Sequence, residues 1–405
     1  MVALPRPDLN RRWSLANVVY FTYTLFLAGF FVVPNAVDLY KFYILMVFFP
    51  GLFLLPGTLK LCWRSPIWCS VIAYLVYMLL SSFWSHQFSL AIFWRDVLYA
   101  VYILSFILLT VYFFARNQEL PNTAIYLVAL VVIVAAIFSI VSFEPLTQLP
   151  NLTEARLSGV GALGTVNESA FVYGIFGVIA LDYVRRNRGQ GLAYLYATGF
   201  AIIVLFVILT QSNTGLLALS SACALLFLFH AKRNPRALYI GLPLALVACL
   251  YLAWSLGLLN GTTDIGFTMR WPIWDHAIKR WQSAPVFGLG YQTAPGVTEM
   301  QNGVNINYAH SLFLSTLRDG GLVGVFLLLP VYGLALRAGL KMASKKYDPL
   351  YLCLFIFGFI IVMVSMDQIL TRPRELWLVL WLPLACLIAE ELGLIKVKSP
   401  EAPSG

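Results

Sequence analysis

Charge is scarce in this sequence. Asp, Glu, Lys and Arg make up 11% of its 405 residues, against roughly a quarter in soluble domains, which excludes an ordinary soluble fold. Histidine is scarcer still. His86, His230, His276 and His310 are the full set, too dispersed to suggest a metal cluster. The cysteines, Cys62, Cys69, Cys223, Cys249, Cys353 and Cys386, have no metal-ligand spacing and form no disulfide framework. Short alternating strands are missing, which excludes a transmembrane barrel. No fixed-period repeat occurs, and no inverted halves of the kind many transporters contain. There is no cleavable signal peptide: Arg6, Arg11 and Arg12 lead straight into a full-length apolar run that reads as an anchor.

What is present is apolar. The chain is 60% hydrophobic and 15% aromatic, in runs close to the roughly 20 residues that cross a bilayer as a helix. Lipid offers the backbone no hydrogen bonds, so helices are the remaining solution. The net charge of +9 does not point to nucleic acid, because the basic residues are scattered through short loops between apolar runs. The expected fold is an all-α polytopic membrane protein of about 12 transmembrane helices. The predicted spans are 14–33, 40–59, 67–85, 97–115, 122–143, 168–184, 192–210, 213–230, 238–258, 309–336, 349–370 and 376–395.

Orientation follows from the Lys and Arg distribution. With the N-terminus inside, every loop assigned to the cytoplasm carries at least one basic residue, including Lys60, Arg116, Arg185, Lys232, Arg337 and Lys396. An even span count keeps that alternation in register and leaves both termini inside. The chain reads as one integral membrane domain, 1–405, with two substantial outer loops at about 144–167 and 259–308. Chemistry belongs on these loops and on the span ends beside them. The basic 337–346 loop is expected to meet anionic membrane lipids.

The remaining basic residues fall on the face that topology rules keep poor in positive charge: Lys41, Arg95, Arg156, Arg270, Lys279, Arg280, Arg318, Arg372 and Arg374. Either neighbouring carboxylates such as Asp96, Asp319 and Glu375 pair with them, or they hold an anionic ligand. Arginine suits phosphate because its planar fork stays charged. Thr268–Trp281 reads as a helix lying on the membrane. Pro272 suits its first turn, one face is apolar, and Lys279 and Arg280 occupy the other. Arg270 at its start opposes the positive end of the helix dipole, and an anion there would resolve the conflict.

His310 lies at the outer mouth of the tenth predicted span, either as a proton acceptor near neutral pH or as a plain cap. Arg318 sits about 12 Å deeper by the helix rise, where it is either functional or a structural partner of Asp319. Gly320, Gly321 and Gly324 allow close contact or a bend. The glycine-rich stretch Glu154–Glu168 could bring backbone N–H groups to a phosphate, but a re-entrant loop explains it as well.

Three segments together carry a resemblance. Thr268–Gly290 holds Arg270, Trp274 and Ala284-Pro-Val-Phe-Gly-Leu-Gly290. The Ala309-His310 block ends in Gly320-Gly-Leu-Val-Gly324. The Arg156 block ends in Asn167 before a span. Their order and shared outer placement resemble the bacterial O-antigen ligase and polymerase superfamily.

The resemblance implies a GT-C-type membrane glycosyltransferase of the bacterial inner membrane with both termini cytoplasmic. It would move O-antigen polysaccharide from undecaprenyl diphosphate to lipid A–core on the periplasmic face, completing lipopolysaccharide. It implies His310 and Arg270 as catalytic, with Arg270 and Arg156 on the diphosphate. Many relatives carry a Ser-Arg-Gly-like motif where this chain reads Gln211-Ser-Asn-Thr-Gly215. The arginine is missing, so Arg95, Arg318 or Arg374 is expected to substitute, or donor binding differs.

Arginines can stabilise a lipid diphosphate leaving group without a metal, so neither metal nor cofactor is expected. The alternatives are an O-antigen polymerase or protein O-oligosaccharyltransferase of the same superfamily, and, from another class, a transporter or flippase. The last predicts charges at mid-membrane, whereas the charged set here gathers at the outer face.

Overall fold

The structure is a computed structural model that describes residues 14–143, 155–231, 270–294, 296, 298–299, 305–306, 309–345 and 348–395. Helices dominate it. Strand pairing among the described residues is limited to Thr298–Glu299 against Asn305–Ile306, antiparallel, within the 259–308 stretch.

The first helix, α1, covers Leu15–Val32 and starts where the Ser14 side chain accepts from the Asn17 N–H. The single predicted span 40–59 is instead a broken pair. Helix α2, Ala36–Leu52, and α3, Leu55–Cys62, meet at 81°. Pro56 opens α3, where its missing N–H costs nothing, but it cannot continue a helix from behind. A π-helical stretch, Tyr43–Phe48, lies within α2. Next come α4, Pro66–Ser81, α5, Leu90–Arg116, and α6, Glu119–Val141. Then follow α7, Val166–Arg186, α8, Gly191–Leu209, and α9, Asn213–Ala231.

Further along, the chain forms α10, Arg270–Gln282, within the 259–308 stretch, then α11, Leu312–Lys345, and α12, Leu350–Ser365. The last helix, α13, covers Leu382–Glu391 and is led by a π-turn, Trp377–Trp381. The predicted span 349–370 therefore stops short. Asp367 and Gln368 leave the helix, and Pro373 disfavours helical backbone at Arg372.

Among the described residues, six helices are long and apolar enough to cross a membrane, or seven if the bent pair is one span; Leu350–Ser365 is a shorter apolar helix. The predicted span 238–258 lies outside the described residues. The helices are apolar on all sides, as expected for lipid on one face and protein on the other. On α5, Ala100, Ile103, Ile107, Val111 and Phe114 repeat at helical spacing and are buried, while Leu98 and Val101 face outward. Phe53, Val141 and Phe326 are among the most exposed apolar side chains.

Packing pairs α4 with α11, α9 with α12, and α7 with both α8 and α9. Hydroxyls cross between helices: Tyr23 with Thr110, Tyr43 with Ser105 and Tyr74 with Thr316, each at 2.7 Å. Such bonds have no competing water in a membrane interior. At one end of α7, buried Asp182 accepts from Arg185 and Arg186, both at 2.6 Å, and Arg186 also reaches Asp348. The opposite end of α7 opens onto the candidate site.

Helix α11 breaks at Gly321, which has φ 62° and ψ −160°. The segment 284–290 repairs the break. Leu289 and Gly290 N–H groups donate to the Arg318 and Asp319 carbonyls, and Leu322 and Val323 N–H groups donate to the Pro285 and Val286 carbonyls. These four backbone groups at the kink are thereby satisfied, and the Gly320 carbonyl accepts from the Tyr77 hydroxyl at 2.7 Å. Gly288 and Gly321 face each other so closely that a Cβ on either would lie within 2.5 Å of the other strand's backbone.

Candidate active site

A cavity of about 540 Å³ opens where the ends of four segments meet. Thr165, Asn167 and Glu168 come from the start of α7, and Arg270 and Ile273 from the start of α10. His310 comes from the residue pair before α11. Asp367, Gln368, Thr371, Arg374 and Glu375 come from the connection between α12 and α13. The first three segments belong to, or border, the two loops 144–167 and 259–308 on which chemistry was expected. The fourth was hidden inside a predicted span and its short connection.

Arg270 is placed by the first residue of an amphipathic helix whose Ile273 and Ala277 are buried. Its guanidinium donates to the Val364 carbonyl, to Thr214 Oγ1 at 3.2 Å and to Ser365 Oγ at 3.4 Å. Burial pushes its pKa down to about 10, the mark of a cation partly stripped of water. Thr214 belongs to the Gln211–Gly215 segment that lacks the expected arginine. Arg156 approaches that segment from the other side. It donates to the Thr210 carbonyl at 2.9 Å and to Asn167 Oδ1 at 2.9 Å. Asn167 lines the cavity, so Arg156 borders it through one residue.

His310 is held in a left-handed backbone conformation, φ 48°, sparsely populated by non-glycine residues. Its ring bonds to the Ser365 backbone, and its pKa lies below 6.5. Burial is the main cause, Arg270 adds to it, and Asp367 opposes it. Asp367 has the reverse problem. Burial raises its pKa, while His310, Arg318 and Arg374 pull it down. The imidazole and this carboxylate are thus electrostatically linked within the cavity.

Arg374 spans two carboxylates, Glu168 at 2.8 Å and Glu375 at 3.0 Å, and both hold its pKa up. Burial pushes the Glu375 carboxyl up, against the pull of Arg374. The cavity wall therefore carries cations fixed in place and carboxyl groups that resist ionisation.

Arg95 and Arg318, also expected at a diphosphate, line an adjoining smaller cavity instead. Arg95 pairs with Asp96 at 3.0 Å. Arg318 is buried and forks onto Asp319 at 2.6 and 2.7 Å. In the glycine-rich loop, five amides are already engaged. Leu157, Gly159, Val160, Ala162 and Gly164 N–H groups donate to protein oxygens. Gly161, at φ 102°, packs on the Phe30 carbonyl, where a Cβ would come within 2.3 Å, so the loop docks on α1. Among the described residues, no three His, Cys, Asp or Glu side chains are arranged to hold a metal ion.

Residues 198–329 match the family model described as O-antigen ligase. A curated O-antigen ligase from Pseudomonas aeruginosa is 28% identical over 369 residues, covering 90% of this chain and 88% of that protein. The chain is similar to O-antigen ligases along nearly its whole length. The matched residues run from the second half of α8 through α9 and α10 to the middle of α11, and so include Thr214, Arg270, His310 and Arg318. Asp367 and Arg374, which line the cavity, and Arg156, which reaches it through Asn167, lie outside the matched residues.

Proposed function

We propose that this protein is an O-antigen ligase. It takes polysaccharide from undecaprenyl diphosphate and attaches it to lipid A–core on the periplasmic face of the inner membrane. The supporting observation is the convergence of Arg270, His310 and Arg374 on one cavity, at the end of the molecule where the helices meet the outer loops. The 12-span GT-C architecture with cytoplasmic termini and a long periplasmic loop at 259–308 is part of the same proposal.

The donor diphosphate lies against Arg270 and Arg374, with Arg156 beside them. An arriving anion relieves the burial of the Arg270 guanidinium and competes with Glu168 and Glu375 for Arg374. Arginine forks suit its oxygens. His310, neutral at physiological pH because its pKa lies below 6.5, accepts the proton of the attacking hydroxyl. Asp367 then stabilises the imidazolium. The new bond joins the acceptor oxygen to the sugar's anomeric carbon, while the carbon–phosphate oxygen bond breaks. Its electron pair stays on the undecaprenyl diphosphate, where the arginines neutralise the developing charge.

The test is the product made by purified protein in lipid from undecaprenyl-diphosphate-linked glycan and lipid A–core. Mass analysis should find glycan joined to lipid A–core. A lengthened donor glycan with lipid A–core untouched would instead make it a polymerase.

A further inference from the structure

The cavity beside the proposed donor site has a different chemical character. It measures about 190 Å³ and shares Asp367 and Gln368 with its larger neighbour. That is space for about six waters, the scale of one sugar ring rather than a prenyl chain.

Four of its five charged side chains cancel in pairs, and the fifth is the carboxyl of Asp367. Arg95 sits on Asp96 at 3.0 Å, and Arg318 forks onto Asp319. Diphosphate would have to displace two carboxylates, one of them in a fully forked buried pair, so the pocket is poorly matched to an anion. A neutral polyhydroxyl ligand faces no such conflict. Paired carboxylates retain lone pairs for hydroxyl donors, and guanidinium edges retain N–H groups for hydroxyl acceptors.

Gln292 adds a further sign. Its Oε1 accepts from the Ser89 N–H at 2.7 Å, which fixes the amide. Its Nε2 is buried and has no hydrogen-bond partner among the described residues. Buried donors are rarely left unused, and Gln292 is one of the residues that line the cavity.

We propose that this smaller cavity binds the acceptor: a sugar of the lipid A–core, held by Arg95, Gln292 and the Arg318–Asp319 fork. The proposal rests on reading the larger cavity as the donor site. The acceptor hydroxyl reaches past Asp367 and Gln368 toward His310. Its oxygen bonds the donor's anomeric carbon, its proton passes to His310, and undecaprenyl diphosphate leaves with the bonding pair. Two substrates thus meet at a shared wall, each in a pocket of matching charge.

The experiment measures apparent KM for each substrate separately, in full-length protein, using undecaprenyl-diphosphate-linked glycan and lipid A–core. Arg95 is about half exposed (54%), so Arg95→Ala should fold, and an unchanged Tm checks this. Arg95→Ala and Gln292→Leu should each raise the acceptor KM about tenfold, the cost of one charge-assisted or buried hydrogen bond. Donor KM should stay within about twofold. Arg95→Lys should recover part of the loss, and Arg374→Ala should move donor KM instead.

A rise in donor KM in Arg95→Ala would make this cavity part of the donor site. No change in either KM would show that it holds neither substrate. A wild type that lengthens its donor glycan would sink the ligase reading alone, and the same KM comparison would then run on the growing glycan as acceptor. A wild type that binds no undecaprenyl diphosphate would sink both.

Discussion

His310 is held at φ 48°, a conformation that costs a non-glycine residue of order 1–3 kcal/mol. The strain aims the ring at Ser365 and at the cavity shared with Asp367. Replacing it with alanine should lower kcat by roughly 10²–10⁴, the usual share of a positioned base, while undecaprenyl diphosphate still binds. The pH profile follows from burial. The groups facing the ring, Asp367 and Arg270, act in opposite directions, and burial places its pKa below 6.5. The imidazole is therefore neutral at pH 7, and kcat/KM should fall only as pH drops below 6.5. An acid limb above pH 7 would contradict the burial of His310.

Arg270 and His310 were legible because each stood out locally, a cation at a helix start and a lone histidine at a span mouth. Asp367 was not. Met366 before it and Ile369-Leu370 after it are apolar, so hydropathy absorbed it into the span 349–370. The signal that could have found it was an ionisable residue inside that apolar stretch. Arg318 with Asp319 showed the opposite: the expected structural pair is there, and it is the surroundings that place it on a second pocket.

At the scale of elements, the Ala284–Gly290 motif has a structural role that its sequence does not disclose. It supplies the partners for the backbone groups freed where α11 breaks at Gly321. The break in turn places Arg318 and Asp319 beside the smaller cavity. Gly321→Ala would force a side chain into a conformation reserved for glycine and onto the Val286 carbonyl, within 2.3 Å. It should cost at least about 1–3 kcal/mol, read as a lowered Tm, with Gly333→Ala, where a Cβ meets nothing within 4 Å, as the neutral comparison. The glycines at 320–324 foretold a bend, but the sequence could not say which backbone would mend it, because that partner is a loop some 30 residues away. The 81° bend between α2 and α3 was missed for a related reason. Hydropathy is continuous through Pro50 and Pro56, and a window average is blind to a missing N–H.

At the scale of the molecule, the site and the Asp182–Arg185–Arg186–Asp348 cluster sit at opposite ends of α7. The proposed orientation puts the first outside and the second inside. With the natural thiols replaced, His86→Cys should react with a membrane-impermeant maleimide in intact spheroplasts, and Arg188→Cys only after permeabilisation. The reverse pattern would invert the topology. Because arginines are proposed to carry the charge of the leaving diphosphate, transfer should also persist in chelator; a loss restored by magnesium would reassign that role to a metal.

The central claim is that Arg270 and His310 serve one reaction in one cavity, the first holding the diphosphate and the second moving the proton. The most direct measurement compares wild type, Arg270→Ala and His310→Ala for undecaprenyl diphosphate affinity and for single-turnover transfer to lipid A–core. The account predicts that His310→Ala binds donor normally and fails to transfer, while Arg270→Ala loses about tenfold or more in donor affinity and transfers poorly. Folded variants that both bind and transfer like wild type would place the reaction elsewhere in the molecule.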